Sequence, residues 1–191
     1  VYENTFGTVA VKTDSEDLAL AIIEVTPYRI EGKYPDKRHP DEVRFAKSLE
    51  DDLSRRDFTV NAMAIDLKSE IRNSKSETNL KSKILNHKSI LIDLFDGKKD
   101  LKDKIIKTVG NPEERFYEDA LRMLRAVRFA TTLGFTIEEN TASAIRKNSI
   151  WLKAISEERI RDEFLKIIMS DRASDGINLL HELNLLKFII P

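Results

Sequence analysis

Asp119, Arg122, Arg125 and Arg128 recur at every third position of "EDALRMLRAVRF". On a helix that spacing makes a slowly drifting stripe beside the apolar face. Three arginines with no lysine among them are planar, multidentate donors, and the carboxylate beside them is an acceptor of fixed charge. An Asp next to an Arg offers an acceptor–donor edge. Adenine and cytosine match it: the exocyclic amine donates to the carboxylate, and the ring nitrogen accepts from the guanidinium. Guanine and uracil present a carbonyl and an N–H there, so both contacts turn repulsive. A buried polar group left unpaired costs roughly 1–3 kcal/mol, enough to choose a base. A solvated, salt-bridged helix face is the plainer alternative for the same four residues.

A second crowded stretch is "LSRRDFTVNAMAID", from Leu53 to Asp66. Arg55, Arg56 and Asp57 sit directly against an apolar run that Thr59 and Asn61 interrupt. Adjacent cations at a core boundary need partners, and the stretch by itself leaves those partners open.

The rest of the composition narrows the classes. The 191 residues carry 32 Lys and Arg against 33 Asp and Glu, a net charge of −1, so overall charge gives no push toward nucleic acid or membrane. There is no cysteine, which excludes a disulfide framework and cysteine-based zinc sites and fits a reducing cytoplasm. His39, His87 and His181 are too scattered for metal-ligand spacing. No apolar run approaches the roughly 18 residues of a membrane helix. The chain opens on Val1 and enters "TFGTVAVKT" almost at once, so an N-terminal part is expected to be missing.

The elements that must position these residues change character along the chain. "GTVAVKT" reads as a strand with Val9 and Val11 on one face, "DSED" (14–17) as a hairpin turn, and "LALAIIEVTPYRI" as a buried strand carrying Glu24, with Pro27 marking its end. "EGKYPDKRHPDE" reads as a loop. Ser48 opens a short helix as N-cap with Asp51 three residues on, close to a capping box. From Lys68 to Ser89 six basic residues stand against two acidic ones among Ser and Asn, which reads as a flexible, solvated insertion rather than a basic RNA-contacting arm.

Helices follow. "DLFDGKKDLKDKIIKTVG" contains a turn at Asp96-Gly97 and a helix ending near Gly110; Asn111-Pro112 opens the next. One helix is expected across "EERFYEDALRMLRAVRFATTLG", with Phe116, Ala120, Leu124, Val127 and Ala130 near one face and Gly134 as its stop. Further helices are expected over "TIEENTASAIRKN", over "SEERIRDEFLKIIMS" capped by Ser156, and over "ASDGINLLHELNLLKFIIP" to the chain end. Strands first and helices after argue for an α+β fold in two domains.

These motifs together resemble the class II tRNA nucleotidyltransferases (CCA-adding enzymes) and bacterial poly(A) polymerases. "RRDFTVNAMAID" resembles the family's RRDxT motif, "DLFDGKKDL" (93–101) its DxxxGxxDL motif, "EDALRMLR" its EDxxR motif, and "EERIRDEFLKII" its neck motif. The resemblance implies that residues 1–67 are part of a DNA polymerase beta-like nucleotidyltransferase head, 68–90 an insertion, and 91–191 a helical neck and the start of a body. It further implies that Arg56 contacts the incoming nucleotide and that Asp57 and Thr59 shape the sugar and phosphate pocket. Asp119 and Arg122 would pair with the base, Arg125 and Arg128 would bind phosphates or support the template, and Asp93, Gly97 and Asp100 would form a hinge. "IIEVTPYRIEG" is similar to the family's E-V-T-T-F-R strand, which makes Glu24 a catalytic-site carboxylate; Pro27 departs from that pattern.

The family's GGxVRD segment and DxD metal pair do not occur in these residues. Two-metal phosphoryl transfer needs carboxylates that hold both Mg²⁺ ions, and Glu24 alone cannot hold them. The expected function is addition of C and A to tRNA 3′ ends from CTP and ATP with Mg²⁺, in the cytoplasm, by a protein of which this chain is an incomplete part. The other readings are a poly(A) polymerase adding AMP to RNA, and a non-catalytic RNA- or nucleotide-binding remnant. The full-length loop at 31–43 favours an enzyme that can add A. A homodimer is an assembly the sequence allows, and body and tail domains that grip tRNA are expected beyond Pro191.

Overall fold

The computed structural model describes residues 2–3, 8–17, 21–31, 43–46, 48–66 and 90–190. The expected insertion over 68–89 and the loop over 32–42 lie outside the described residues.

Strands β1 (Tyr2–Glu3), β2 (Val9–Lys12) and β3 (Ile22–Val25) form an antiparallel sheet in that order, with Val9 opposite Val25 and Lys12 opposite Ile22. The Asp14–Asp17 stretch lies in the β2–β3 connection, where the hydroxyls of Thr13 and Ser15 accept from the N–H groups of Ser15 and Asp17. β3 is not buried as expected. Ile22, Ile23 and Val25 are 62, 48 and 56% exposed, because among the described residues no apolar layer covers them. Beyond Pro27, β4 (Arg29–Glu31) pairs with β5 (Val43–Phe45), and β6 (Met63–Asp66) with β7 (Ile90–Asp93), both antiparallel. Ser48 caps α1 (Leu49–Ser54): its hydroxyl accepts from the Asp51 N–H at 3.2 Å and donates to the Asp51 carboxylate at 2.6 Å.

Helices and short strands then build the core. α2 (Gly97–Asp103) ends at Lys104, in the left-handed region at φ 57°, six residues before the expected stop at Gly110. The chain leaves the helix there because Ile105 and Ile106 form β8, paired in parallel with β9 (Thr136–Ile137). α3 (Pro112–Glu118) starts as expected, Asn111 accepting from the Glu113 N–H. The single long helix expected from Glu113 to Leu133 is two. Asp119 is extended (φ −144°, ψ 105°), and α4 (Leu121–Leu133) starts beyond it and stops at Gly134, φ 67°.

α5 (Glu139–Asn148), a 3₁₀ turn (Ser149–Ala154), α6 (Glu157–Ile168) and α7 (Ala173–Glu182) complete the fold. Ser156 occupies the N-cap position of α6 without a side-chain capping bond, and the glutamates of the first turn face the helix dipole as expected. α7 stops well before the chain end. Asn184 takes φ 60°, and the Leu185 N–H returns to the Leu180 carbonyl at 2.9 Å, closing the helix with a left-handed cap.

The core lies around α4, against which α6 and α7 pack. Leu124, Val127 and Ala130 of α4 and Phe116 and Ala120 before it are buried, as the spacing predicts. Phe58, from the RRDFT stretch, is fully buried in this helical core, edge-on to Phe129 at 5.8 Å. Burying such a ring contributes about 1.5–3 kcal/mol, so the polar residues beside Phe58 are anchored to the helices.

Candidate nucleotide site

The turn that follows α1 fixes the first group of residues. Asp52, 4% exposed, answers the crowding of the two arginines: Oδ1 accepts from Arg55 (Nη2 at 2.6 Å, Nε at 3.0 Å) and Oδ2 from Arg56 (Nη2 at 3.0 Å). Arg55 is largely enclosed, whereas the Arg56 side chain is 42% exposed. Asp57 turns the other way. Its Oδ1 accepts from the Phe58 N–H at 2.9 Å and from Asn61 at 3.1 Å, and its Oδ2 accepts from Arg125 Nε at 2.7 Å and is ion-paired with Nη2 at 2.6 Å.

Thr59 lies on a 3₁₀ turn (Thr59–Asn61), and its hydroxyl donates to Asp100 Oδ2 at 2.7 Å. Gly97 packs so tightly on this turn that a Cβ there would stand 2.2 Å from the Thr59 carbonyl oxygen. The glycine is needed for close approach; the left-handed residue of the segment is Asp96, φ 60°. Asp93 caps α2, Oδ1 accepting from the Gly97 N–H and Oδ2 from the Lys98 N–H, both at 2.8 Å. Burial acts to raise the Asp93 pKa, but the N–H groups of Lys98, Gly97 and Phe95 outweigh it and hold the carboxyl below the ordinary aspartate value. Asp93, Gly97 and Asp100 thus brace the Thr59 turn from one side.

The helical residues do not form the stripe their spacing suggests, because the break at Asp119 takes its carboxylate off the helix. Asp119 Oδ1 accepts from the Leu121 N–H at 3.0 Å, covering the start of α4, and Oδ2 from Arg159 Nη2 of α6 at 2.8 Å. Arg122, 9% exposed, donates to Glu118 Oε2 at 2.6 Å and to the Arg115 and Arg55 carbonyls at 3.3 and 3.2 Å. Arg125 reaches Asp57, joining α4 to the RRDFT turn. Arg128 stacks over the Phe129 ring at 4.1 Å and pairs with Glu163 of α6, Nε to Oε2 at 2.8 Å but out of line for a hydrogen bond. Burial lowers the Arg128 pKa, against the pull of Glu163, and the guanidinium keeps its charge.

Arg56, Asp57, Thr59, Asp119, Arg122 and Arg125 are therefore gathered where the RRDFT turn meets the start of α4, with Asp93, Gly97 and Asp100 behind that turn. Arg128 lies farther along α4, toward Glu163. Glu24 is exposed on β3, and no described hydrogen bond or ion pair ties it to this group. The sequence reading passed over the partners Asp52, Arg115, Glu118, Arg159 and Glu163. Spacing of three or four could have found Asp52 with Arg55 and Arg56, and Glu118 with Arg115 and Arg122. Arg159 with Asp119, 40 residues apart, has no local signal. Among the described residues no group of three or more Asp, Glu, His or Cys could hold a metal ion, and no helix is long and apolar enough to cross a membrane.

Comparison with known proteins gives a consistent answer. The family described as "Poly A polymerase head domain" matches residues 1–107, and that described as "Probable RNA and SrmB- binding site of polymerase A" matches residues 134–191. The CCA-adding enzyme of Ligilactobacillus salivarius (strain UCC118) is 46% identical over 165 residues, 86% of this chain and 36% of that protein. The crystal structure of the Bacillus stearothermophilus CCA-adding enzyme in complex with CTP matches at TM-score 0.72 and 37% identity, covering 94% of this chain and 37% of that one. A tRNA nucleotidyltransferase complexed with a primer tRNA and an incoming ATP analog matches at TM-score 0.70 and 32% identity, over 97% of this chain and 45% of that one. The chain spans less than half the length of each of these relatives. With more than half of its 191 residues inside the first match, and with an α+β fold shared with these enzymes, the chain belongs to the poly(A) polymerase head-domain family.

Proposed function

We propose that this chain is part of a cytoplasmic tRNA nucleotidyltransferase that adds C and A to tRNA 3′ ends from CTP and ATP, choosing the base with protein groups. The observation that carries this reading is the convergence of an acceptor, Asp119, just before α4, and the donors Arg122 and Arg125 on its first turns, against the Arg55–Asp57 turn. An amine-bearing base edge would donate to Asp119 and accept from Arg122. Arg56, the more exposed arginine of its pair, would face the triphosphate, with Asp57 and Thr59 shaping the sugar side and Arg125 and Arg128 supporting the phosphates or the base-reading helix.

Relatives of known structure bind CTP, an ATP analog and primer tRNA, which supports the same substrates here. Mg²⁺ belongs to this reading as the ion that would neutralise the triphosphate and activate the 3′-hydroxyl. The described residues do not supply its site: Glu24 stands alone.

The test is extension of tRNA lacking CCA by the complete enzyme with Mg²⁺, CTP and ATP. Asp119→Ala or Arg122→Ala should lower the preference for CTP and ATP over UTP and GTP as well as the rate. Absence of incorporation by the complete enzyme, or a uniform loss with preference unchanged, would overturn the assignment. Addition of AMP alone to unrelated RNA would identify a poly(A) polymerase instead.

A further inference from the structure

One carboxylate, Glu118, holds two guanidinium groups at once. Its Oε1 pairs with Arg115 Nη2 and its Oε2 with Arg122 Nη1 at 2.6 Å. Both arginines also reach the C-terminal carbonyls of α1. Arg115 Nη1 donates to the Ser54 carbonyl and Arg122 Nη2 to the Arg55 carbonyl, each at 3.2 Å. Arg122 Nη1 additionally donates to the Arg115 carbonyl at 3.3 Å, so the ring closes on itself. The last carbonyls of a helix have no partner within it, and arginine side chains are suited to satisfy them.

We propose that Arg115 is a positioning residue for base choice, acting through Glu118 on Arg122; this rests on the reading of Arg122 as the base-facing donor. With one oxygen of Glu118 held by Arg115, the carboxylate meets Arg122 through its other oxygen only. That fixes the plane of the Arg122 guanidinium and leaves its remaining donor edge uncommitted to the carboxylate. Without Arg115, Glu118 is free to turn and grip Arg122 with both oxygens, the geometry that arginine and carboxylate favour. The guanidinium would then rotate away from the orientation that Arg55 and Glu118 jointly set. Because Arg115 also holds Ser54, the same ring ties the base-reading helix to the turn that carries Arg56 and Asp57.

The experiment measures kcat/KM for CTP and for UTP separately, with the complete enzyme and tRNA lacking CCA, in wild type, Arg115→Met and Arg115→Lys. Arg115→Met should lower the CTP-over-UTP ratio about tenfold, the scale of one mispaired buried contact. Arg115→Lys keeps the charge but reaches only one of the two acceptors, and should lose several-fold. In a Glu118→Gln background Arg115→Met should change the ratio no further, since the effect runs through Glu118. A ratio within twofold of wild type in Arg115→Met, whatever happens to kcat or Tm, would overturn the inference. If Arg115→Met fails to fold, the same twofold limit applied to Arg115→Lys decides. A wild-type enzyme that adds no CMP would overturn the functional reading itself, and this inference with it.

Discussion

Replacing Thr59 by valine changes one atom group at a buried junction and leaves the shape nearly intact. Thr59 is 2% and Asp100 5% exposed, and the hydroxyl-to-carboxylate bond between them is 2.7 Å long. The valine keeps the β-branch and removes the donor, so Asp100 Oδ2 stays enclosed without its partner. A hydrogen bond to a charged group contributes about 1.5–3 kcal/mol, and water cannot readily replace it here. Thr59→Val should therefore destabilise the protein by about 2 kcal/mol, close to thirtyfold in the folding equilibrium. Thr59→Ser keeps the donor and loses one methyl, which costs about 1 kcal/mol. Urea unfolding at neutral pH, with unchanged slope, would read both values. A combined Thr59→Val, Asp100→Ala variant should lose less than the sum of the two single changes, because they remove the same bond. If Thr59→Val lay within about 0.5 kcal/mol of wild type, or above Thr59→Ser, the buried bond would not be what braces this turn.

Other outcomes follow from neighbouring geometry. Gly97→Ala should cost about 1–3 kcal/mol, since its Cβ would meet the Thr59 carbonyl oxygen at 2.2 Å and only a backbone shift relieves that; a Tm unchanged within error would refute it. The Asp93 carboxyl is held below its ordinary value in the folded state, so its contribution is fully present above the unfolded pKa and is lost as pH falls through the lower folded pKa. The stability gap between wild type and Asp93→Asn should thus be flat above about pH 5 and shrink in more acidic solution, which a series of urea titrations would measure. Glu163→Ala strips Arg128 and Lys166 of their shared carboxylate and should cost about 3 kcal/mol, with Glu163→Gln less severe.

Much of the fold was legible where signals are local. Ser48, Asn111-Pro112 and Gly134 mark helix ends through bonds or conformations that need only a few neighbouring residues. The break at Asp119 was not legible, since "FYEDALR" carries no breaker; its carboxylate is held by the Leu121 N–H and by Arg159, and the latter is distant in sequence. The early end of α2 at Lys104 follows from β8 pairing with β9, also a long-range event. The burial of β3 was misjudged because an apolar run states what a strand could bury, without stating what is there to cover it. For the candidate site, the structure brings RRDFT and EDALR together, Arg122 on the Arg55 carbonyl and Arg125 on Asp57. Which carboxylate holds which arginine depended on the packing of α1, α4 and α6.

Taken together, Arg55, Arg56, Arg115, Arg122, Arg125, Arg128 and Arg159 are seven guanidinium groups sharing five carboxylates, those of Asp52, Glu118, Asp57, Glu163 and Asp119. An anion arriving at this seam does not meet bare positive charge. It must compete for each arginine with a carboxylate tethered a few ångströms away, taking its place or using the N–H donors it leaves open, so binding is a contest between partners rather than simple capture. Such a surface attracts stray polyanions weakly and responds to added salt less steeply than an open cationic groove. It rewards only a ligand whose shape lets it win several such contests at once.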